Sequence, residues 1–286
     1  MSELNVNVFA FADEADSMID GQITAMKRNN LCGLEIRNVD GVNISDITLE
    51  KAREVREKLS ENGLKIWSLG SPLGKIGIKD EFEPHLEKFK NSLNIAKELG
   101  CKNIRMFSFY IPEGENPDDY KTEVFERLAR FVEAAEGSGI TLCHENEKGI
   151  YGDVPERCLE IHKAFPQIKG IFDPANYVQC GAYTLEGWEL LKDYIYYLHI
   201  KDSLKDGFVV PAGEGNGNVD FIIKDYIKRG GKALTIEPHL TVFEGLKALE
   251  REGETSAVAD FKYPDANTAF DVACNAVNEI LRGLKS

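Results

Sequence analysis

No apolar run in this chain comes near the roughly 18 residues that a bilayer-spanning helix needs. No two cysteines stand in CxxC spacing, and the six present (Cys32, Cys101, Cys143, Cys158, Cys180 and Cys274) are scattered through apolar stretches. That distribution argues against a disulfide framework or a zinc ribbon and suits buried free thiols. Basic residues are in the minority, 34 Lys and Arg against 48 Asp and Glu, for a net charge of −14. Nucleic-acid binding needs a basic footprint, so no such partner is expected. The acidity itself implies little beyond solubility. No basic stretch precedes the first apolar residues in MSELNVNVFAFADEAD, and acids follow them directly. This is not a signal-peptide pattern; a cytoplasmic protein with no membrane partner is expected.

The 286 residues are 43% hydrophobic and 29% charged, the balance of a soluble globular protein with a large core. Short apolar runs alternate with amphipathic stretches from end to end, the signature of repeated βα units. Eight strands are predicted: Val6–Phe11, Gly33–Arg37, Lys65–Leu69, Asn103–Phe107, Thr141–Glu145, Gly170–Asp173, Tyr196–Ile200 and Ala233–Glu237. Among the helices, Thr48–Asn62 opens on a capping Thr and stops at Gly63. Glu81–Leu99 stops at Gly100, and Pro117–Gly137 begins with proline. A polar loop is expected at Glu250–Thr255 and a last helix near Asn267–Leu284. No Pro/Ser-rich linker divides the chain. Eight units in one run predict an α/β fold, a single-domain (β/α)₈ TIM barrel over residues 1–286, for which about 250 residues is usual. A doubly wound sheet is the rival, weakened by the lack of a Gly-rich nucleotide fingerprint.

Four of these runs end in a side chain that can bind metal: ITLCHE in Glu145, IKGIFD in Asp173, YIYYLH in His199 and ALTIE in Glu237. Alone, each reads as a helix cap, a loop residue or a core histidine. Together, at matching ends of successive parallel strands, they point into one mouth, because adjacent strands lie only about 4.8 Å apart. Their oxygen and nitrogen donors suit one divalent cation, Mn²⁺, Mg²⁺, Co²⁺ or Zn²⁺.

The segments LCHEN, IFDPAN, LHIKD, PAGEGNGNVDF and LTIEPH, in that order, with FADEA near the start, resemble the xylose isomerase-like barrel family of sugar isomerases and epimerases. The resemblance covers most of residues 140–240. It implies one cation held by Glu145, Asp173, His199 and Glu237, and proton transfer beside a sugar carbonyl through an enediolate. It also implies that Glu145 and Glu237 double as catalytic acid and base, and that the chain forms a homodimer or homotetramer. Manganese and carbohydrate metabolism are typical of such relatives. The endonuclease branch of the same superfamily needs many His ligands and a basic face; five His and a charge of −14 speak against it.

Further residues are candidates for touching a sugar or polyol substrate. Lys201 follows the histidine in HIKD, where Asp202 would orient a ligand or cap the loop. Lys205 falls where related ketose epimerases carry a substrate-binding Arg. Asn176 stands in place of their substrate-contacting His, a departure that keeps a hydrogen-bond donor. Glu147 lies in a charged loop, His239 shares the facing of Glu237, and Glu35 ends the second strand. Asp13 and Glu14 read as helix caps, His144 as structural, and Trp67 and Phe107 as core aromatics that can also cover a sugar face. Gly213–Gly217 reads as a lid loop whose N–H groups leave a sugar phosphate open. The expected activity is sugar or sugar-phosphate epimerisation or isomerisation. The alternatives are a keto-inositol isomerase or dehydratase, or a non-catalytic sugar-binding barrel.

Overall fold

A computed structural model describes residues 5–243 and 263–284; the loop expected at Glu250–Thr255 lies outside them. Eight parallel strands close a barrel: β1 (Asn7–Ala10), β2 (Gly33–Ile36), β3 (Lys65–Leu69), β4 (Asn103–Met106), β5 (Thr141–Glu145), β6 (Lys169–Phe172), β7 (Ile195–Ile200) and β8 (Ala233–Ile236). Each pairs with its sequence neighbours, and β1 pairs with β8 through Asn7↔Ala233 to Ala10↔Ile236. Two predicted ligands, Asp173 and Glu237, sit one residue beyond their strands, and Asp173 serves there as the cap of the next helix. Among the described residues no helix is long and apolar enough to cross a membrane.

Strand parity builds two separate cores. Outward side chains such as Leu34, Ile36, Leu69, Ile104, Leu142, Phe172, Leu198 and Ile236 pack under the helices. Inward, Phe9, Cys143, Ile171, Tyr197 and Ala233 make a small apolar floor inside the barrel. Trp67 belongs to this floor, with ring centroids 5.2 Å from Phe9 and 5.6 Å from Tyr196, so it does not reach the mouth. The next inward residues along the same strands, Glu145 after Cys143 and His199 after Tyr197, form the polar layer above.

The surrounding helices begin where their capping chemistry allows. Thr48 Oγ1 accepts the Lys51 N–H at 3.1 Å to start Leu49–Glu61, and Gly100 closes Phe82–Leu99 in the left-handed conformation. The stretch from Pro117 is a 3₁₀ turn to Tyr120 followed by the helix Lys121–Ala135. Asp265 caps the last helix, Ala266–Gly283, by accepting the Thr268 N–H at 2.7 Å.

One helix residue ties down the loop after β3. Gly74 N–H donates to His85 Nε2 at 2.7 Å, a bond open only to the neutral ring. Burial, with Lys88 and Arg127 nearby, lowers His85 to about 4 from the usual 6.5. Unfolded chains therefore take up this proton at higher pH than folded ones. Stability is full above pH 6.5 and falls as the pH drops toward 4, by about 3 kcal/mol from this residue. In chemical denaturation at pH 7, 5 and 4, His85→Gln is expected to flatten that part of the profile; an unchanged slope would refute it.

Candidate metal centre

Glu145, the last residue of β5, and His199, near the end of β7, point inward by parity; Asp173 and Glu237 follow β6 and β8 directly. All four are buried, and one donor atom from each lies within 4.8 Å of the others. His199 Nδ1 is 2.8 Å from Glu145 Oε1 and 3.7 Å from Glu237 Oε2. Asp173 Oδ1 accepts the Asn176 N–H at 3.0 Å. Its buried Oδ2 has no hydrogen bond of good geometry among the described residues and lies 3.0 Å from the Lys201 ammonium. The same ammonium lies 3.1 Å from Glu237 Oε2.

The set fits a divalent cation on charge as well as distance. Seven carboxylates (Asp13, Glu14, Glu35, Glu145, Glu147, Asp173 and Glu237) share this end of the barrel with Arg37, Lys75, Arg105 and Lys201. Once His199 is neutral, as a metal ligand must be, these carboxylates outnumber the cations even with Glu14 protonated, and a divalent ion would supply the balance. The electrostatics record this crowding of charge. Burial pushes Asp173 up to about 7, Glu237 and Glu145 adding to it and Lys201 opposing. Burial disfavours a charged His199, yet Glu145 and Glu35 outweigh it and push the ring up to about 10. Burial also works against ionised Glu237, but Lys201, His239, His199 and Arg105 hold it well below the usual carboxylate range.

Two arginines that the sequence reading passed over stand behind the candidate acid/base pair. Arg105 Nη1 is 3.0 Å from Glu145 Oε2, and its other nitrogens donate to the carbonyls of Gly70 and Ser71. Arg37 donates to Asp13 at 2.8 and 3.1 Å and to Glu14 at 3.0 Å, and its Nη1 lies 3.4 Å from Glu237 Oε1. Both guanidinium groups flank the Phe11 ring, at 4.5 and 4.8 Å. The available signal was parity: Arg37 lies two after Glu35, and Arg105 is a charge between Ile104 and Met106. Asp13 and Glu14 are thus not simple caps. They anchor Arg37, and Glu14 also accepts the His239 N–H at 2.6 Å. Burial raises Glu14 to about 8, with Arg37 opposing. Glu14, Glu237 and His239 form a second close donor group. There the Arg37 guanidinium already supplies the positive charge.

The expected substrate residues divide sharply. Lys201 lies inside the cluster. His239 lines its edge, Nδ1 3.7 Å from Glu237 Oε1, on a backbone with φ of 44°, a strained value for histidine. Glu147 pairs with Lys75 at 2.8 Å, and that lysine rides over the buried Phe107 ring. Three others have different surroundings. Glu35 is 0% exposed and lies under His199, its Oε2 3.0 Å from Nε2, instead of at the mouth. Asn176 is buried and donates its amide to Asn146 O at 2.8 Å. This follows from its place in the first turn of the Asp173-capped helix. Lys205 is exposed on the hairpin formed by Asp202–Ser203 and Val209–Val210. Among the described residues, no ion pair or side-chain hydrogen bond joins it to the four donors.

Asn146 clamps Asp173 from both sides, accepting its N–H at 2.9 Å and donating to its carbonyl at 3.0 Å. Asp202 takes the backbone N–H groups of Ser203, Gly213, Gly215 and Gly217, all between 2.8 and 3.0 Å. A Cβ on Gly215 would fall 2.3 Å from Asp202 Oδ1, so the glycine there permits close approach to a carboxylate. The nest of N–H groups is filled by the protein's own anion. His144 bonds Ser108 Oγ at 2.9 Å on the outer side of β5, a structural role.

The family described as Xylose isomerase-like TIM barrel matches residues 25–251. No curated protein sequence matches the chain. Solved structures of similar fold include the probable 3-DHS dehydratase AsbF of Bacillus anthracis, with a TM-score of 0.73 at 16% identity over 96% of this chain and 98% of that one. An L-ribulose 3-epimerase also scores 0.73 at 16% identity, over 98% and 95% of the two chains. The IolI protein with a bound zinc atom scores 0.70 at 16% identity, over 97% and 98%. At such identities the likeness is one of fold.

Proposed function

The chain belongs to the xylose isomerase-like TIM barrel family, and from that premise we propose a divalent-metal-dependent isomerase or epimerase that moves a proton beside the carbonyl of a sugar or polyol. The observation that carries this reading is the buried Glu145–Asp173–His199–Glu237 cluster at the working end of the barrel. These four residues would hold one cation, Mn²⁺, Mg²⁺, Co²⁺ or Zn²⁺. When bound there, the cation supplies Lewis-acid polarisation of adjacent carbonyl and hydroxyl oxygens.

The protein's own groups supply the rest. Glu145 and Glu237 reach the site from different strands, so one can take a proton from the substrate carbon and the other return one to an enediolate. Arg105 fixes one oxygen of Glu145 and Arg37 stands beside one oxygen of Glu237, leaving the second oxygen of each turned toward the cluster. Lys201, at 3.1 Å from Glu237, is placed to donate to a substrate oxygen, and His239 lines the same edge. An uncharged substrate is favoured. Arg37, Arg105, Lys201 and Lys75 are each engaged by carboxylates, and the glycine nest is filled by Asp202. Dehydration is the second reading, since the Lys201 ammonium beside Glu237 is placed to hydrogen-bond a departing hydroxyl.

The test is elemental analysis of gently purified protein, followed by incubation of neutral ketoses and keto-inositols in D₂O. About one divalent ion per chain and metal-dependent deuterium uptake at the carbon beside the carbonyl are expected. No ion after supply of Mn²⁺, Co²⁺ and Zn²⁺ would refute the metal reading. Bound metal with no exchange across the panel would favour a binding protein.

A further inference from the structure

We infer that Glu35 is a positioning residue, holding the His199 ring from below so that Nδ1 is the nitrogen presented to the cluster; this rests on the metal-centre reading above. A fully buried carboxylate inside a barrel is costly unless its oxygens have partners. Glu35 has one on each oxygen. Tyr197 OH donates to Oε1 at 2.8 Å, and Oε2 lies 3.0 Å from His199 Nε2. Both contacts cross the barrel lumen from β2 to β7, so Glu35 is braced by the strand that carries the histidine.

The geometry separates the two ring nitrogens. Nδ1 faces Glu145 at 2.8 Å and Glu237 at 3.7 Å, whereas Nε2 faces Glu35 alone among the described carboxylates. A neutral histidine has one N–H and one lone pair, and a metal takes the lone pair. With Nε2–H given to Glu35, the lone pair is on Nδ1 and directed at the cluster. The Phe11 ring, edge-on at 5.2 Å, limits rotation of the imidazole from the side. Glu35 itself is excluded as a ligand to the same ion, since the ring stands between it and the cluster.

The test compares Co²⁺ binding by wild type, Glu35→Gln, Glu35→Leu and His199→Ala, using competition with a chromogenic chelator and the visible spectrum of bound Co²⁺. Neither readout depends on turnover. Glu35→Leu is expected to bind about 10–100-fold more weakly with an altered spectrum. Glu35→Gln, whose amide oxygen still accepts the ring N–H, should stay within several-fold of wild type. Equal affinity and spectrum in the Leu variant, or equal weakening by Gln and Leu, overturns the assignment of Glu35 alone. Failure of wild type to bind any ion overturns the metal reading and this inference with it. If Glu35→Leu does not fold, nitrogen-resolved NMR of zinc-loaded wild type decides. A slowly exchanging Nε2–H, assigned to His199 by its loss in His199→Ala, supports the inference, and an N–H on Nδ1 overturns it.

Discussion

Replacing His199 with alanine is expected to strip tightly bound divalent metal from a chain that still folds. The ring supplies the only nitrogen among the four donors. Changing the groups around a ligand typically costs 10–100-fold in affinity, and removing a ligand outright should cost more than about 100-fold. Folding should survive because the barrel strands and their outer core do not depend on this layer. Stability should nevertheless fall. In metal-free protein the ring pairs with Glu145 and Glu35, and removing one member of a buried pair costs about 3–5 kcal/mol. The measurements are metal content per chain, circular dichroism and thermal unfolding with and without added Mn²⁺. Wild type should gain stability on adding the ion, by an amount that grows with its concentration, and the variant should gain little. Stoichiometric metal retained by folded His199→Ala would remove the histidine from the ligand set. His199→Asn, smaller in its volume change, serves if the alanine variant is lost to aggregation.

The four donors were legible because each closes an apolar run at a matching place in successive βα units. Two of them, Glu145 and His199, also sit at inward parity above floor residues, Cys143 and Tyr197. Periodicity of this kind reports which way a side chain faces. It does not report height along the barrel axis, which depends on how neighbouring strands are staggered. Glu35 shows the difference. It faces inward as expected, but β2 pairs with β3 through a register shift between Leu34 and Glu35 that aligns Glu35 with Ser68. Glu35 lies below His199, and Arg37, two residues on, reaches Glu237 above it. No local sequence signal encodes that shift.

Arg105 illustrates a second limit. A lone charge within an apolar strand marks a buried pair, yet its partner, Glu145 for Arg105, is 40 residues away. Only packing joins them. Asn176 was readable in principle, since an Asp followed by Pro and, three residues on, a backbone donor is a helix-cap pattern. The glycine-rich segment was readable in part. Its N–H groups do converge on an anion, but the anion is Asp202, close in the chain and already in the loop.

Glu237→Gln should cut deuterium uptake at the α-carbon of the epimer whose proton Glu237 removes by about 10⁴-fold, the upper range for loss of a positioned general base. The exchange is nearly isosteric and keeps an oxygen for Lys201 to meet, but an amide cannot accept the proton. Because Glu237 is also a candidate ligand, weaker metal binding would mimic a lost base. The assay therefore belongs under saturating Mn²⁺, with bound metal measured in the same sample. Comparison with Glu145→Gln separates the two roles further. If the carboxylates serve opposite faces of one enediolate, each variant loses interconversion but keeps exchange from the one epimer whose proton the surviving Glu removes. Exchange from one epimer in Glu145→Gln and from the other in Glu237→Gln is the two-base signature. Loss from both epimers in one variant only would assign both proton transfers to that residue, the pattern of a single-base isomerase. Undiminished uptake from both epimers by metal-loaded Glu237→Gln would remove Glu237 from the acid/base role and leave it as a ligand alone.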